Sequence, residues 1–187
     1  MSYPVPAKGA SMKEYAILLI KQIDTTSDYS FIGVSLGGML CSELAEILHP
    51  KKIIIISSAK CRKELPFRYR FQKSIPIYKL FPKGMIKFGA RILQPIVEPD
   101  RKKNKATFKS MLKNKNATFL KRSVNMIIRW DKKTYHESII HIHGTKDHTL
   151  PIRKTKPTIV VEKGSHMMTL TRAKEIEKIV NSILLQN

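Results

Sequence analysis

Residues 33–37 read Gly-Val-Ser-Leu-Gly, a G-x-S-x-G pattern set between an apolar run and a helix-like run. A serine on so sharp a turn must take a strained backbone conformation. Glycines two positions away on either side let the strand and the following helix pass close together. The product is an exposed hydroxyl at the carboxyl end of a sheet, beside a helix N-terminus. The pattern alone is common, and a plain small-residue turn satisfies it too. Its context narrows the choice, because an aspartate and then a histidine follow at the ends of later strands.

That context is legible residue by residue. Residues 29–34 (YSFIGV) are short, apolar and rich in β-formers, which predicts a buried strand. Residues 36–48 follow without proline, with Met39, Leu40, Leu44, Ile47 and Leu48 at helical spacing, and His49-Pro50 ends the run. Further buried strands are expected over 52–56, 138–142 and 158–161. The third of the four runs into His143-Gly144-Thr145-Lys146-Asp147, and the last into Lys163-Gly164-Ser165-His166. A final helix is expected over 170–185, its apolar face made by Ile176, Ile179, Val180, Ile183 and Leu184. Near the start, Ser11 and Glu14 form a capping box, and Tyr15, Leu18, Leu19 and Ile23 an apolar stripe. These predict a helix over 12–23.

GVSLGG (33–38), HGTKDHTLP (143–151) and KGSH (163–166) resemble the nucleophile elbow, acid loop and histidine loop of the α/β-hydrolase superfamily. The resemblance covers nearly the whole chain. It implies a partial α/β-hydrolase fold: four parallel strands in order of appearance, helices on both faces and a helical lid insertion. It also implies Ser35 as nucleophile, His166 as general base and then acid, and Asp147 as the group orienting the histidine. The backbone N–H of Leu36 becomes one oxyanion donor. The residue types suit the chemistry. A serine hydroxyl is a weak nucleophile until an imidazole takes its proton, and a buried carboxylate fixes the imidazole tautomer.

The resemblance also implies parts that the sequence lacks. Several strands normally precede the nucleophile strand, and one ends in an HG-type loop that gives the second oxyanion N–H. Only 34 residues precede Ser35, with no His-Gly or Gly-Gly among them. The expectation is a fragment that starts about halfway through the usual N-terminal half; the alternative is a reduced member with a compensating partner. Either way the 29–34 strand should be an edge with unpaired backbone groups. The edge would invite an N-terminal partner segment or self-association. Losing one oxyanion donor costs ~100- to 1000-fold in turnover, so weak activity is expected.

Charge is lopsided. Of the formal +21, residues 60–133 hold 22 Lys and Arg against four Asp and Glu. This segment lies between the second and third expected strands, where the superfamily places its lid. The domain reading is therefore 1–59 (first helix, nucleophile strand, elbow helix, second strand), 60–133 (basic helical lid) and 134–187 (acid and histidine loops), in one catalytic domain. Stretches 75–93 and 116–130 mix apolar and basic residues at helical spacing. They can cover a pocket, lie on an anionic lipid surface or simply be solvated. No nucleic-acid-binding fingerprint is visible, so a nucleic-acid partner is not expected. Cys41 and Cys61 have no metal spacing and read as reduced thiols. No signal-peptide layout or spanning run is present, and a cytoplasmic protein is expected.

Other readings remain beside these. His141 and His143 alternate along one strand face, with Asp147 and His148 close by, so a metal is conceivable there. The acid-loop resemblance accounts for 143–147 without one. Glu98, Asp100 and Asp131 are alternative acids within the lid segment. Phe67, Tyr69, Phe71, Tyr78, Phe81 and Trp130 could line an acyl pocket, or be plain core. No nucleotide, flavin or metal motif is present, and no cofactor is expected. The function expected is cleavage of a small-molecule carboxylic ester through an acyl-enzyme on Ser35. The alternatives are a non-catalytic remnant and a basic surface-binding protein on the same scaffold.

Overall fold

The computed structural model describes residues 1–73 and 116–186. Helix α1 (Met12–Ile20) leads into β1 (Phe31–Val34), α2 (Leu36–Leu44) and β2 (Ile53–Ile56). A short α3 (Phe67–Phe71) follows, then α4 (Ala117–Arg129), β3 (Ile139–Gly144) and β4 (Ile159–Val161). Two helices close the chain, α5 (Met168–Thr171) and α6 (Ala173–Leu185).

The start of α1 is set by its cap. The Glu14 N–H donates to Ser11 Oγ at 3.1 Å, and the Ser11 N–H donates back to Glu14 Oε2 at 2.8 Å. Both orphan donors of the first turn gain partners this way. Helices α1 and α2 stop earlier than the apolar spacing predicts, at Ile20 and Leu44, and each continues as a turn. The predicted last helix is split at Arg172, whose φ of −138° and ψ of 39° are not helical. Apolar spacing is blind to such a break, since both pieces keep one face inward.

The four strands are all parallel and lie in the order β1-β2-β3-β4. Strand β2 is Ile-Ile-Ile-Ile and buried throughout, as a parallel strand covered on both faces must be. Its alternation divides the core. Ile53 and Ile55 join α1 and α2 in the main cluster with Tyr15, Leu19, Met39 and Leu40. Ile54 and Ile56 face the other way, toward Met168, Ile176 and Ile183 of α5 and α6.

Part of the segment expected as a lid belongs to this core. Leu65, Met126 and Trp130 lie in the main cluster. Trp130 is 2 % exposed, and its indole N–H donates to Glu43 Oε1 at 2.6 Å. It is a core residue, not an open pocket wall. Its ring needed both apolar cover and one acceptor, and α2 offers both. The stretch 75–93, Tyr78, Phe81, Glu98 and Asp100 lie outside the described residues. Among the described residues no helix is long and apolar enough to cross a membrane.

Strand β1 is the end strand of the described sheet. Phe31 N–H donates to Lys52 O and Ser35 N–H to Ile56 O, so alternate residues of β1 face β2. The intervening Ile32 and Val34 turn their backbone N–H and C=O the other way. Their side chains are 49 % and 39 % exposed.

Candidate active site

Ser35 sits between β1 and α2 with φ 53° and ψ −117°. A side chain at that φ is strained, and three contacts hold it there. Its N–H donates to Ile56 O at 3.0 Å, and its carbonyl accepts from Gly38 N–H at 3.0 Å. The Ser58 hydroxyl donates to the same carbonyl at 2.6 Å. Neighbouring glycines allow the crossing. A Cβ on Gly33 would lie 2.5 Å from the Gly37 carbonyl, and one on Gly38 would lie 2.5 Å from Ser58 Oγ. On Gly37 it would meet only the Tyr3 hydroxyl, at 3.4 Å. As the first residue of α2, Leu36 has an N–H without an intrahelical acceptor, at the positive end of the helix dipole.

The ends of β3 and β4 bring up the partners. A Cβ on Gly144 would lie 2.2 Å from Gly164 O, so the two loops can touch only through glycine. That contact sets Asp147 and His166 side by side. His166 Nδ1 is 2.8 Å from Asp147 Oδ2, and His166 Nε2 is 3.0 Å from Ser35 Oγ. Asp147 Oδ1 accepts the Leu150 N–H at 2.8 Å. Burial pushes the Asp147 carboxyl up, but the His166 and Leu150 hydrogen bonds and the nearby imidazoles outweigh it. The carboxyl ends below its ordinary value and ionises readily.

Behind this row stand His141 and His143, both fully buried. His141 Nε2 lies 2.9 Å from His143 Nδ1, and His143 Nε2 lies 2.7 Å from Leu150 O. Burial above all lowers both pKa values, that of His141 to about 3. Among the described residues no group of three or more His, Cys, Asp or Glu is arranged to hold a metal ion.

The remaining expected residues are placed as follows. Phe67 and Phe71 stack on each other on α3, ring centroids 5.6 Å apart, and are 67 % and 40 % exposed. Arg68 ties that helix to the acid loop through the carbonyls of His148 and Thr149. Asp131 is exposed and remote in kind from a buried orienting acid. Tyr3 and Ser58 were missed at the elbow. Tyr3 carried no motif, and Ser58 is legible only once β1 and β2 are known to be neighbours.

No protein-family model matches the chain, and no curated protein matches it. Solved structures do. A thermophilic esterase from Thermogutta terrifontis is 11 % identical with a TM-score of 0.70, over 94 % of this chain and 72 % of its own. A hydrolase from Pseudomonas aeruginosa is 16 % identical with a TM-score of 0.69, over 97 % and 75 %. An esterase from Exiguobacterium antarcticum is 15 % identical with a TM-score of 0.62, over 95 % and 75 %. At such identities the likeness is one of fold: the chain carries a partial α/β-hydrolase fold, spanning about three quarters of the length of each of these structures.

Proposed function

We propose that the chain is a serine hydrolase that cleaves a small carboxylic ester through an acyl-enzyme on Ser35. One observation carries the reading: His166 reaches Ser35 Oγ with one ring nitrogen and Asp147 Oδ2 with the other. Asp147, ionised and buried, requires a proton on Nδ1 and leaves Nε2 as the base. Nε2 takes the Ser35 proton as Oγ attacks the ester carbonyl. The tetrahedral oxyanion is met by the Leu36 N–H. The imidazolium then protonates the leaving alkoxide, and water repeats the sequence to free the acid. The esterases among the similar folds favour an ester over an amide.

Turnover of p-nitrophenyl acetate should be absent in Ser35→Ala. Labelling by a fluorophosphonate tests the reading without a substrate guess. An unlabelled Ser35 in the folded wild-type chain would favour a non-catalytic scaffold instead.

A second reading concerns a partner and rests on β1. We infer that a polypeptide strand docks on this edge, because Ile32 and Val34 present apolar side chains and outward backbone groups together. Sedimentation of the chain alone tests it, as argued in the Discussion.

A further inference from the structure

The triad has a buried support that the hydrolase reading does not use. His141 and His143 lie on one side of β3 with their rings edge-on, centroids 4.9 Å apart and planes at 86°. The Leu150 carbonyl can only accept, so His143 carries its proton on Nε2 and donates there. His143 Nδ1 is then a bare acceptor, and His141 Nε2–H donates to it. One backbone carbonyl thus fixes two tautomers. His141 Nδ1 is buried, and the Ser58 backbone lies against the His141 ring.

The backbone of Leu150 also reaches the triad, through the peptide unit on its other side. Its carbonyl accepts from His143, and its N–H donates to Asp147 Oδ1. Asp147 Oδ2 is then free for His166. His143 Nε2 also lies 3.5 Å from that Oδ2, so its N–H dipole flanks the carboxylate.

We propose that His143, its proton fixed on Nε2 by the Leu150 carbonyl, is a positioning residue that pins the Leu150 backbone and through it the carboxylate orienting His166. The proposal rests on Ser35, His166 and Asp147 acting together as described above. A role in packing alone needs only ring volume. A positioning role needs the Nε2–H.

The low-field proton NMR signal of the His166 Nδ1–H on Asp147 reads this without any substrate. His143→Leu removes the donor and should lose that signal. His143→Gln can place an amide N–H toward Leu150 O and should recover it. If wild type turns over p-nitrophenyl acetate, His143→Leu should lower kcat about tenfold to a hundredfold with KM little changed, and His143→Gln should recover part of the loss. A folded His143→Leu with the signal and kcat of wild type overturns the proposal. Should His143→Leu not fold, His143→Phe decides, because it keeps the ring volume but has no N–H for the Leu150 carbonyl. A broadened or lost signal supports the proposal, and an unchanged one overturns it. A wild type that shows the His143-dependent signal but no ester turnover and no fluorophosphonate labelling keeps this inference and sinks the hydrolase reading.

Discussion

Gly33 and Gly37 pass so closely that a Cβ on Gly33 would lie 2.5 Å from the carbonyl carbon and oxygen of Gly37. Backbone cannot retreat as a side chain can, so Gly33→Ala must push β1 and α2 apart. The expected cost is about 3 kcal/mol, at the upper end for overpacking. Gly37→Ala meets only the Tyr3 hydroxyl at 3.4 Å and should cost under ~1 kcal/mol. Urea unfolding of the two variants checks the contrast. Equal losses would mean that the crossing is not what the first glycine serves.

Ser35 combines a strained backbone with its proposed role as nucleophile, and the two separate cleanly by substitution. Its φ of 53° suits glycine and not a side chain. Ser35→Gly should therefore raise stability by about 1 kcal/mol, or ~2–4 °C in Tm, while all esterase turnover disappears. Scanning calorimetry beside a p-nitrophenyl ester assay reads both. A destabilised Ser35→Gly would show that the hydroxyl holds the turn together and is not strained by it.

The strand–turn–helix reading of residues 29–48 was legible because each cue, apolar run, glycine spacing and helix periodicity, is local. The strand order came from the resemblance carried by 33–38, 143–151 and 163–166, since helix-joined parallel strands can also be ordered otherwise. Trp130 was not. An aromatic near the end of a basic helix looks the same in sequence whether it lines a pocket or seals a core; only Glu43, 87 residues away, decides. The His141–His143 pair shows the same limit. Alternation put both rings on one face, yet whether they meet a metal or each other depends on Leu150, which arrives through a loop.

Trp130 gives a direct stability test. Trp130→Phe keeps most of the apolar volume but leaves Glu43 Oε1 without its indole donor, in a site 8 % exposed. The loss should be about 1–3 kcal/mol, and Trp130→Phe combined with Glu43→Gln should cost less than the sum of the two single changes. A strictly additive double variant would deny the bond any energetic weight.

Acid should weaken the fold through the buried pair His141 and His143. His141 has its pKa lowered to about 3 by burial, then by His143 and Lys60. The unfolded chain protonates this histidine near ~6.5. Below that pH the unfolded state binds more protons, so stability falls as pH falls. From pH 6.5 to 5 the expected loss from His141 is about 2 kcal/mol. His143, also lowered by burial, adds in the same direction. Asp147 works in another window: its lowered pKa contributes stability above the unfolded carboxylate value of ~3.9, lost only below it. Urea midpoints between pH 7 and 5 should drop in wild type and flatten in His141→Leu. Identical slopes would mean that the fold does not keep the His141 ring neutral.

The β1 edge yields the last expectation. Ile32 and Val34 are aligned with Ile54 and Ile56 of β2, whose face α5 and α6 cover. That cover stops short of β1, where both residues are substantially exposed and the strand itself, Phe-Ile-Gly-Val, has no charge or proline to discourage pairing. The isolated chain should associate with concentration, or take up an added strand-forming polypeptide. Ile32→Lys places a charge on the edge at a site already half open. It should suppress association while leaving the core, and therefore the urea midpoint of the dilute protein, within ~0.5 kcal/mol of wild type. Analytical ultracentrifugation over a hundredfold range of concentration reads the first effect. A wild-type chain that stays monomeric throughout, with Ile32→Lys no different, would mean that β1 needs no neighbour and that its apolar face is merely exposed.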